Sequence, residues 1–209
     1  MHKALLTLLA CQLWLIKAQQ WTPQTSNTTA SLRGVSVVST KIVWATGTKG
    51  TFVITTDGGA TWSSPVATQS DEMLTLSAVS VGNKVFSVTT DTNGNVYLWQ
   101  YTYGSASFDG PVTLANWKSG EGDASISTDG SSLFVAYSNA TSVSFETSPN
   151  LGQTWSPPTV ISNTETFIQT DSVNTSLLVG GVVDVVWTTQ ANAGATSYDV
   201  RFAQVSMNT

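Results

Sequence analysis

Thr55-Thr56-Asp57-Gly58-Gly59-Ala60-Thr61-Trp62 returns, with small changes, as Ser148-Pro149-Asn150-Leu151-Gly152-Gln153-Thr154-Trp155. The chain is therefore internally repeated. Three residues after each tryptophan stands a proline, Pro65 and Pro158, and between the two copies Phe108-Asp109-Gly110-Pro111-Val112 echoes Trp62-Ser63-Ser64-Pro65-Val66. The aromatic anchors fall at 62, 108 and 155, a spacing of 46 and then 47 residues. A period of that length in a chain rich in Thr, Ser, Val and Gly points to propeller blades of about four strands each.

The chemistry of the repeated stretch explains its spacing. A carboxylate at Asp57, or an amide at Asn150, accepts hydrogen bonds from nearby backbone N–H groups and fixes a turn, while Gly59 and Gly152 take positive φ. Trp62 and Trp155 then place large apolar surfaces between neighbouring sheets. Thr55, Asp57, Gly59, Thr61 and Trp62, with Ser148, Asn150, Gly152, Thr154 and Trp155, read as a folding device and not as a reaction centre.

This pattern resembles the Asp box, or BNR repeat, of the sialidase-like family (Ser/Thr-x-Asp-x-Gly-x-Thr-Trp). The first copy matches every specified position, and the second has Asn150 in place of Asp. Leu32 to Trp62, including Val43-Trp44-Ala45-Thr46-Gly47, is also similar to the BNR-type blades of photosystem II assembly factors. The resemblance covers two or three blades. It implies a β-propeller whose Asp-box turns lie away from any active site. In sialidases three arginines hold the substrate carboxylate, beside a Tyr/Glu nucleophile pair and an Asp acid. This chain has only Arg33 and Arg201, so one subunit cannot assemble the triad.

Short β-rich runs separated by turn residues recur in fixed order. The first repeat reads as Gly34 to Ser39, Lys41 to Gly47, Thr51 to Thr56 and Trp62 to Val66. The second reads as Leu74 to Val81, Lys84 to Thr90, Asn95 to Thr102 and Pro111 to Leu114, with Asn93-Gly94 as a hairpin signal. Asp123 to Thr128, Ser132 to Ser138, Ser142 to Thr147 and Ser156 to Ile161 make the third. The fourth offers two candidate first strands within Phe167 to Val179, followed by Val182 to Thr189 and Ser197 to Ser206. Its anchor would fall near position 212, past the last residue, and Trp21-Thr22-Pro23 resembles the absent strand. The expectation is an all-β fold, a small propeller of about four blades of four antiparallel strands, the last blade closed by the N-terminal strand. Such closure would hide an edge that otherwise recruits another chain. The same strand entering a neighbour's fourth blade is the alternative.

Residues 1–18 stand apart. His2 and Lys3 precede an apolar run from Ala4 to Ile16 that is short for a bilayer span, which reads as a secretory signal peptide ahead of a propeller domain at 19–209. A retained, membrane-embedded or assembly-forming N-terminal helix is the alternative. The single His and single Cys, His2 and Cys11, both lie in this segment. A mature chain without them can build no disulfide, thiol nucleophile, imidazole base or ordinary zinc site by itself. Losing Lys3 and Lys17 as well leaves six cations against 13 carboxylates, so nucleic acid is excluded as a natural partner. Sequons at Asn27, Asn139 and Asn174 would carry sugars in a secreted eukaryotic protein.

Carboxylate pairs for glycoside hydrolysis are nominal only: Glu121 with Asp123, and Asp71 with Glu72, are sequence neighbours that read as solvated loop charge. Asp184 and Asp199 fall inside expected strands, where they line a channel or solubilise an edge. Asp91-Thr92-Asn93-Gly94-Asn95 lacks the glycine and the final glutamate of a calcium loop and reads as a hairpin. Tyr97, Trp99, Tyr101 and Tyr103 share one strand face, either a core or a platform for sugar rings. No catalytic, cofactor-binding or metal-binding residue is expected, and no cofactor. The reading is a secreted, N-glycosylated, non-enzymatic scaffold or glycan- or protein-binding module, without stable membrane insertion. Self-assembly into a fibre or surface layer by N-terminal strand exchange, and a glycoside hydrolase on a reduced propeller, are the alternatives.

Overall fold

A computed structural model describes residues 23–48, 51–67, 73–103, 105, 109–116, 122–139, 141–162, 167–168, 173–178, 181–190 and 194–206. The leader at 1–18, Trp21, the Phe108 anchor, Trp117, Asp71, Glu72 and Glu121 lie outside them. Among the described residues no helix is long and apolar enough to cross a membrane.

The strands run in chain order as four antiparallel sheets. The first contains β1 (Leu32–Val37), β2 (Val43–Gly47), β3 (Thr51–Thr55) and β4 (Val66–Ala67). The second contains β5 (Met73–Val81), β6 (Lys84–Asp91), β7 (Asn95–Thr102) and β8 (Asp109–Asn116). The third contains β9 (Ala124–Thr128), β10 (Leu133–Ser138), β11 (Val143–Ser148) and β12 (Thr159–Val160). In the fourth, β13 (Phe167–Ile168) and β14 (Asn174–Leu178) both pair with β15 (Val182–Gln190), whose other edge carries β16 (Asp199–Ser206). Both candidate first strands of the fourth repeat thus form. They share one partner, Phe167 opposite Gln190 and Asn174 opposite Val186.

Alternation of side chains sorts the residues of each sheet onto its two neighbours. Trp44, Phe52 and Ile54 of the first sheet pack with Val85 of the second, beside Tyr101 and Tyr103. Phe86, Val88, Val96 and Leu98 on the second sheet's other face meet Ile126, Leu133, Val135 and Tyr137 of the third. Phe134, Ala136, Val143 and Phe145 then meet Val173, Val183, Val185 and Trp187 of the fourth. Covered on both sides, β10 is buried at every position, whereas β15 alternates. Each fully buried large apolar side chain stabilises the array by about 2 kcal/mol.

The strands β1, β5, β9 and β14 stand at one edge of each sheet, and edge backbone groups need partners. Small hydroxyl residues supply them between consecutive sheets. Ser36 Oγ donates to Ala78 O at 3.4 Å, Ile126 N–H donates to Ser77 Oγ at 3.1 Å, and Thr175 N–H donates to Ser125 Oγ at 3.0 Å.

Closure by the N-terminal strand is corrected. Pro23, Gln24 and Thr25 are exposed and irregular, and the segment goes to the first sheet: the Gln24 side chain lies beside Gly59, and Asn27 Nδ2 donates to Trp62 O at 3.3 Å. Gln24 and Asn27 thus tie the described part of the segment to the first sheet. Among the described residues β16 ends the fourth sheet, and no buried cluster joins that sheet to the first.

Candidate functional site

The repeated turns are the features the sequence singled out, and the structure builds both the same way. In the first, Thr55 Oγ1 accepts from Gly59 N–H at 2.8 Å and donates to Asp57 Oδ1 at 2.7 Å. Asp57 Oδ1 also accepts Thr61 N–H at 2.9 Å, while Oδ2 accepts Thr61 Oγ1–H at 2.6 Å. In the second, Ser148 Oγ accepts from Gly152 N–H at 2.7 Å and donates to Asn150 Oδ1 at 3.1 Å, which accepts Thr154 N–H at 2.8 Å. Gly59 and Gly152 have φ of 94° and 89°, which side-chain-bearing residues rarely adopt.

One bond runs the other way. An amide nitrogen is a donor only, so Asn150 Nδ2 donates to Thr154 Oγ1 at 2.8 Å where Thr61 donates to Asp57. Bonds from the Thr61 side chain, the Thr61 backbone and Thr55 hold the Asp57 carboxyl down at about 2, against 3.8 ordinarily. After each turn a serine doubles back on the third strand. Ser63 N–H donates to Ile54 O while Ser63 Oγ accepts from Ile54 N–H, and Ser156 does the same with Thr147.

The remaining acidic side chains among the described residues are also engaged. Burial pushes the Asp91 carboxyl up, but donors from Asn95, Asn93 and Tyr97 outweigh it and hold it below its usual value. That is the hairpin expected at 91–95. Asp123, buried between the third and fourth sheets, accepts Ala124 N–H at 2.8 Å and Val173 N–H at 2.6 Å. Asp129 accepts from Ser131 and Ser132 within its turn, and Asp109 accepts from Gln100 at 3.3 Å. Asp184 accepts from Gln204 at 3.0 Å, and Asp199 pairs with Arg201 at 3.4 Å across exposed surface. No group of three or more His, Cys, Asp or Glu side chains placed to hold a metal ion occurs among the described residues.

Glu146, like Asp129, is an acidic residue that sequence reading passed over. It is 4% exposed on β11, and Tyr137 donates its hydroxyl to the carboxylate in a short hydrogen bond. Burial raises the Glu146 carboxyl above its ordinary value, more than the Tyr137 bond lowers it. A raised carboxyl is the signature of a general acid. Here the group is sealed between sheets beside a tyrosine that is itself 1% exposed, so its chemistry is that of a buried cross-strand tie.

On the aromatic face of β7 Trp99 is buried, while Tyr101 and Tyr103 pack half-buried against the cluster between the first and second sheets. Tyr101 stands edge-on to Trp44 with ring centroids 5.3 Å apart, and Trp99 is buried with its Nε1–H on Thr89 Oγ1 at 3.0 Å. The sequon asparagines differ in setting. Asn27 is in an exposed loop, and Asn139 Oδ1 accepts from Thr141 N–H and Ser142 N–H at 2.9 and 2.8 Å in a turn. Asn174 opens β14 on an exposed face.

No protein-family model matches the chain, and neither does any curated protein. Solved structures do. The chain is similar to the protein named YCF48 in its complex with a D1 peptide, at 17% identity and a TM-score of 0.51, over 86% of this chain and 55% of that one. It is similar to the alpha-L-arabinanase of Penicillium chrysogenum complexed with arabinobiose, at 15% identity and a TM-score of 0.53, over 81% and 60%. GH43B of the Bacteroides ovatus xyloglucan locus matches at 12% identity and 0.53, over 87% and 40%. The chain thus spans less than two thirds of the length of these neighbours. At such identities the likeness establishes a propeller-type fold.

Proposed function

We propose that this chain is a non-enzymatic propeller-type scaffold of the BNR kind, secreted and N-glycosylated on the loop residues Asn27 and Asn139, that binds an extracellular glycan or protein. One observation carries the non-enzymatic reading: every acidic side chain among the described residues is committed to a turn, a hairpin, a cross-sheet tie or a surface pair. Paired carboxylates that hydrolyse glycosides need one group free to protonate a leaving oxygen and one free to attack or to activate water. The repeated turns supply rigidity, and the loops they fix are the surfaces left to a ligand.

The test is direct. Protein secreted from a eukaryotic host is expected to lose mass on enzymatic deglycosylation, with sugar mapped to Asn27 and Asn139. Incubated with pooled plant and animal glycans, arabinan and xyloglucan included, it is expected to retain some without cleaving them. Turnover that disappears in Asp184→Asn would overturn the non-enzymatic reading. An unglycosylated, cell-retained product would overturn the secretory one.

A further inference from the structure

Three of the four sheets carry a phenylalanine at the same point of the third strand. Phe52 lies opposite Thr46, Phe145 opposite Ala136 and Phe202 opposite Val186. Each stands at the same remove from a second matched pair, Thr55 with Val43, Ser148 with Leu133 and Val205 with Val183. The settings differ. Phe52 and Phe145 are 5% and 3% exposed, whereas Phe202 is 70% exposed.

In the first and third sheets the outer edge of that strand is filled, and filled alike. Two residues past the phenylalanine, Ile54 N–H donates to Ser63 Oγ at 3.1 Å and Ile54 O accepts from Ser63 N–H at 2.8 Å. Thr147 makes the same pair of bonds with Ser156 at 3.0 and 2.9 Å. Three residues past each serine, Val66 lies opposite Phe52 and Thr159 opposite Phe145. Both outer strands therefore enter as Trp-Ser-x-Pro followed by Val or Thr. In the fourth sheet Gln204 stands two residues past Phe202, and strand alternation aims its backbone N–H and C=O at the same outer edge. Among the described residues β16 pairs with β15 alone, and such an edge is a template for one more strand.

We propose that the outer edge of β16 binds, as an added antiparallel strand, an extended segment of a partner protein that carries Trp-Ser-x-Pro followed by Val or Thr. The serine takes the two backbone bonds of Gln204, and the Val or Thr settles opposite Phe202. The tryptophan turns onto the cluster between the third and fourth sheets, where Ala203 and Val205 are only partly buried, as Trp155 packs on the cluster before its own sheet. Main-chain bonds supply the affinity and the alternate side chains the selection. A second copy of this chain is not the source, because Ser63 and Ser156 are committed to Ile54 and Thr147, and Trp21-Thr22-Pro23 lacks the serine. The edge site deepens the protein-binding half of the function proposed above and rests on it.

A labelled synthetic peptide copying Thr154–Val160, titrated with the full secreted chain, is expected to bind saturably by fluorescence anisotropy. Hydrogen exchange is expected to slow at the Gln204 amide of the protein when the peptide is added. Ser156→Pro in the peptide removes both serine bonds and is expected to weaken binding roughly tenfold or more. Gln204→Pro in the protein removes an N–H that points away from β15, where an edge strand tolerates proline, and is expected to weaken binding as much with unchanged circular dichroism. Should that variant misfold, the exchange measurement on the wild type decides. No saturable binding, equal binding of the Ser156→Pro peptide, protection on a strand other than β16, or a Gln204 amide already protected without peptide would each overturn the proposal. None of these outcomes touches glycan retention or glycosylation, which test the wider function separately.

Discussion

The turns at 55–62 and 148–155 make nearly the same hydrogen bonds, yet one sits at the end of the array and the other in its middle. In the first, Gly58 N–H donates to Lys41 O of its own sheet, Gln24 lies beside Gly59, and Asn27 donates to Trp62 O. Around the second, Leu151 and Trp155 pack on the cluster between the second and third sheets, and a Cβ placed on Gly152 would lie 3.1 Å from Leu98 Cδ2. The same local code therefore does two jobs. It shapes a loop wherever it occurs, and it joins sheets only where a neighbour is present.

Truncating the two anchors should separate these jobs most widely. Trp155→Ala is expected to cost about 3 kcal/mol, near the low end for large aromatic truncations. Trp62→Ala should cost about half that, as chemical denaturation of the two variants would show. Equal losses would mean that the end turn is as deeply packed as the central one.

The glycines come next. Gly59→Ala carries the strain of a positive φ, about 1 kcal/mol, with its nearest obstacle, Gln24, at 3.8 Å. Gly152→Ala adds the displacement of Leu98 and should cost about 1 kcal/mol more. Thermal melts of both variants check the difference.

The smallest effects are in pH dependence, and they have opposite signs. Asp57 is held below its ordinary value, so its contribution is complete above 3.8 and is lost as the pH falls toward about 2. Asp57→Asn, which copies the second turn, should flatten that acid limb. Glu146 is raised by burial, so its protonated form favours the fold, and stability should decline as the pH rises from the ordinary 4.5 through the shifted value. Glu146→Gln keeps a partner for Tyr137 and should remove that decline, measurable as the slope of denaturation midpoint against pH.

What the sequence disclosed was whatever is local and repeated. Asn95 to Thr102 is a strand with the expected bounds, and the residues of both turns fall where their spacing put them. What it hid depends on which faces are covered. Along Val143–Ser148, Ser144, Glu146 and Ser148 alternate with Val143, Phe145 and Thr147, the pattern of a strand with a wet face. In the middle of the array both faces are covered, and Glu146 is buried with the serines. The N-terminal strand failed for the converse reason: Trp21-Thr22-Pro23 looks like an outer strand, but the bond from Asn27 to Trp62 draws the following residues to the first sheet.

The reversed bond between Asn150 and Thr154 bears on how the protein ages. Asparagine amides hydrolyse slowly to carboxylates, and at most positions the new charge is an injury. At Asn150 direct hydrolysis would produce the carboxylate already accommodated at Asp57, with Thr154 needing only to rotate its hydroxyl proton. The second turn thus tolerates a chemical lesion by becoming a copy of the first.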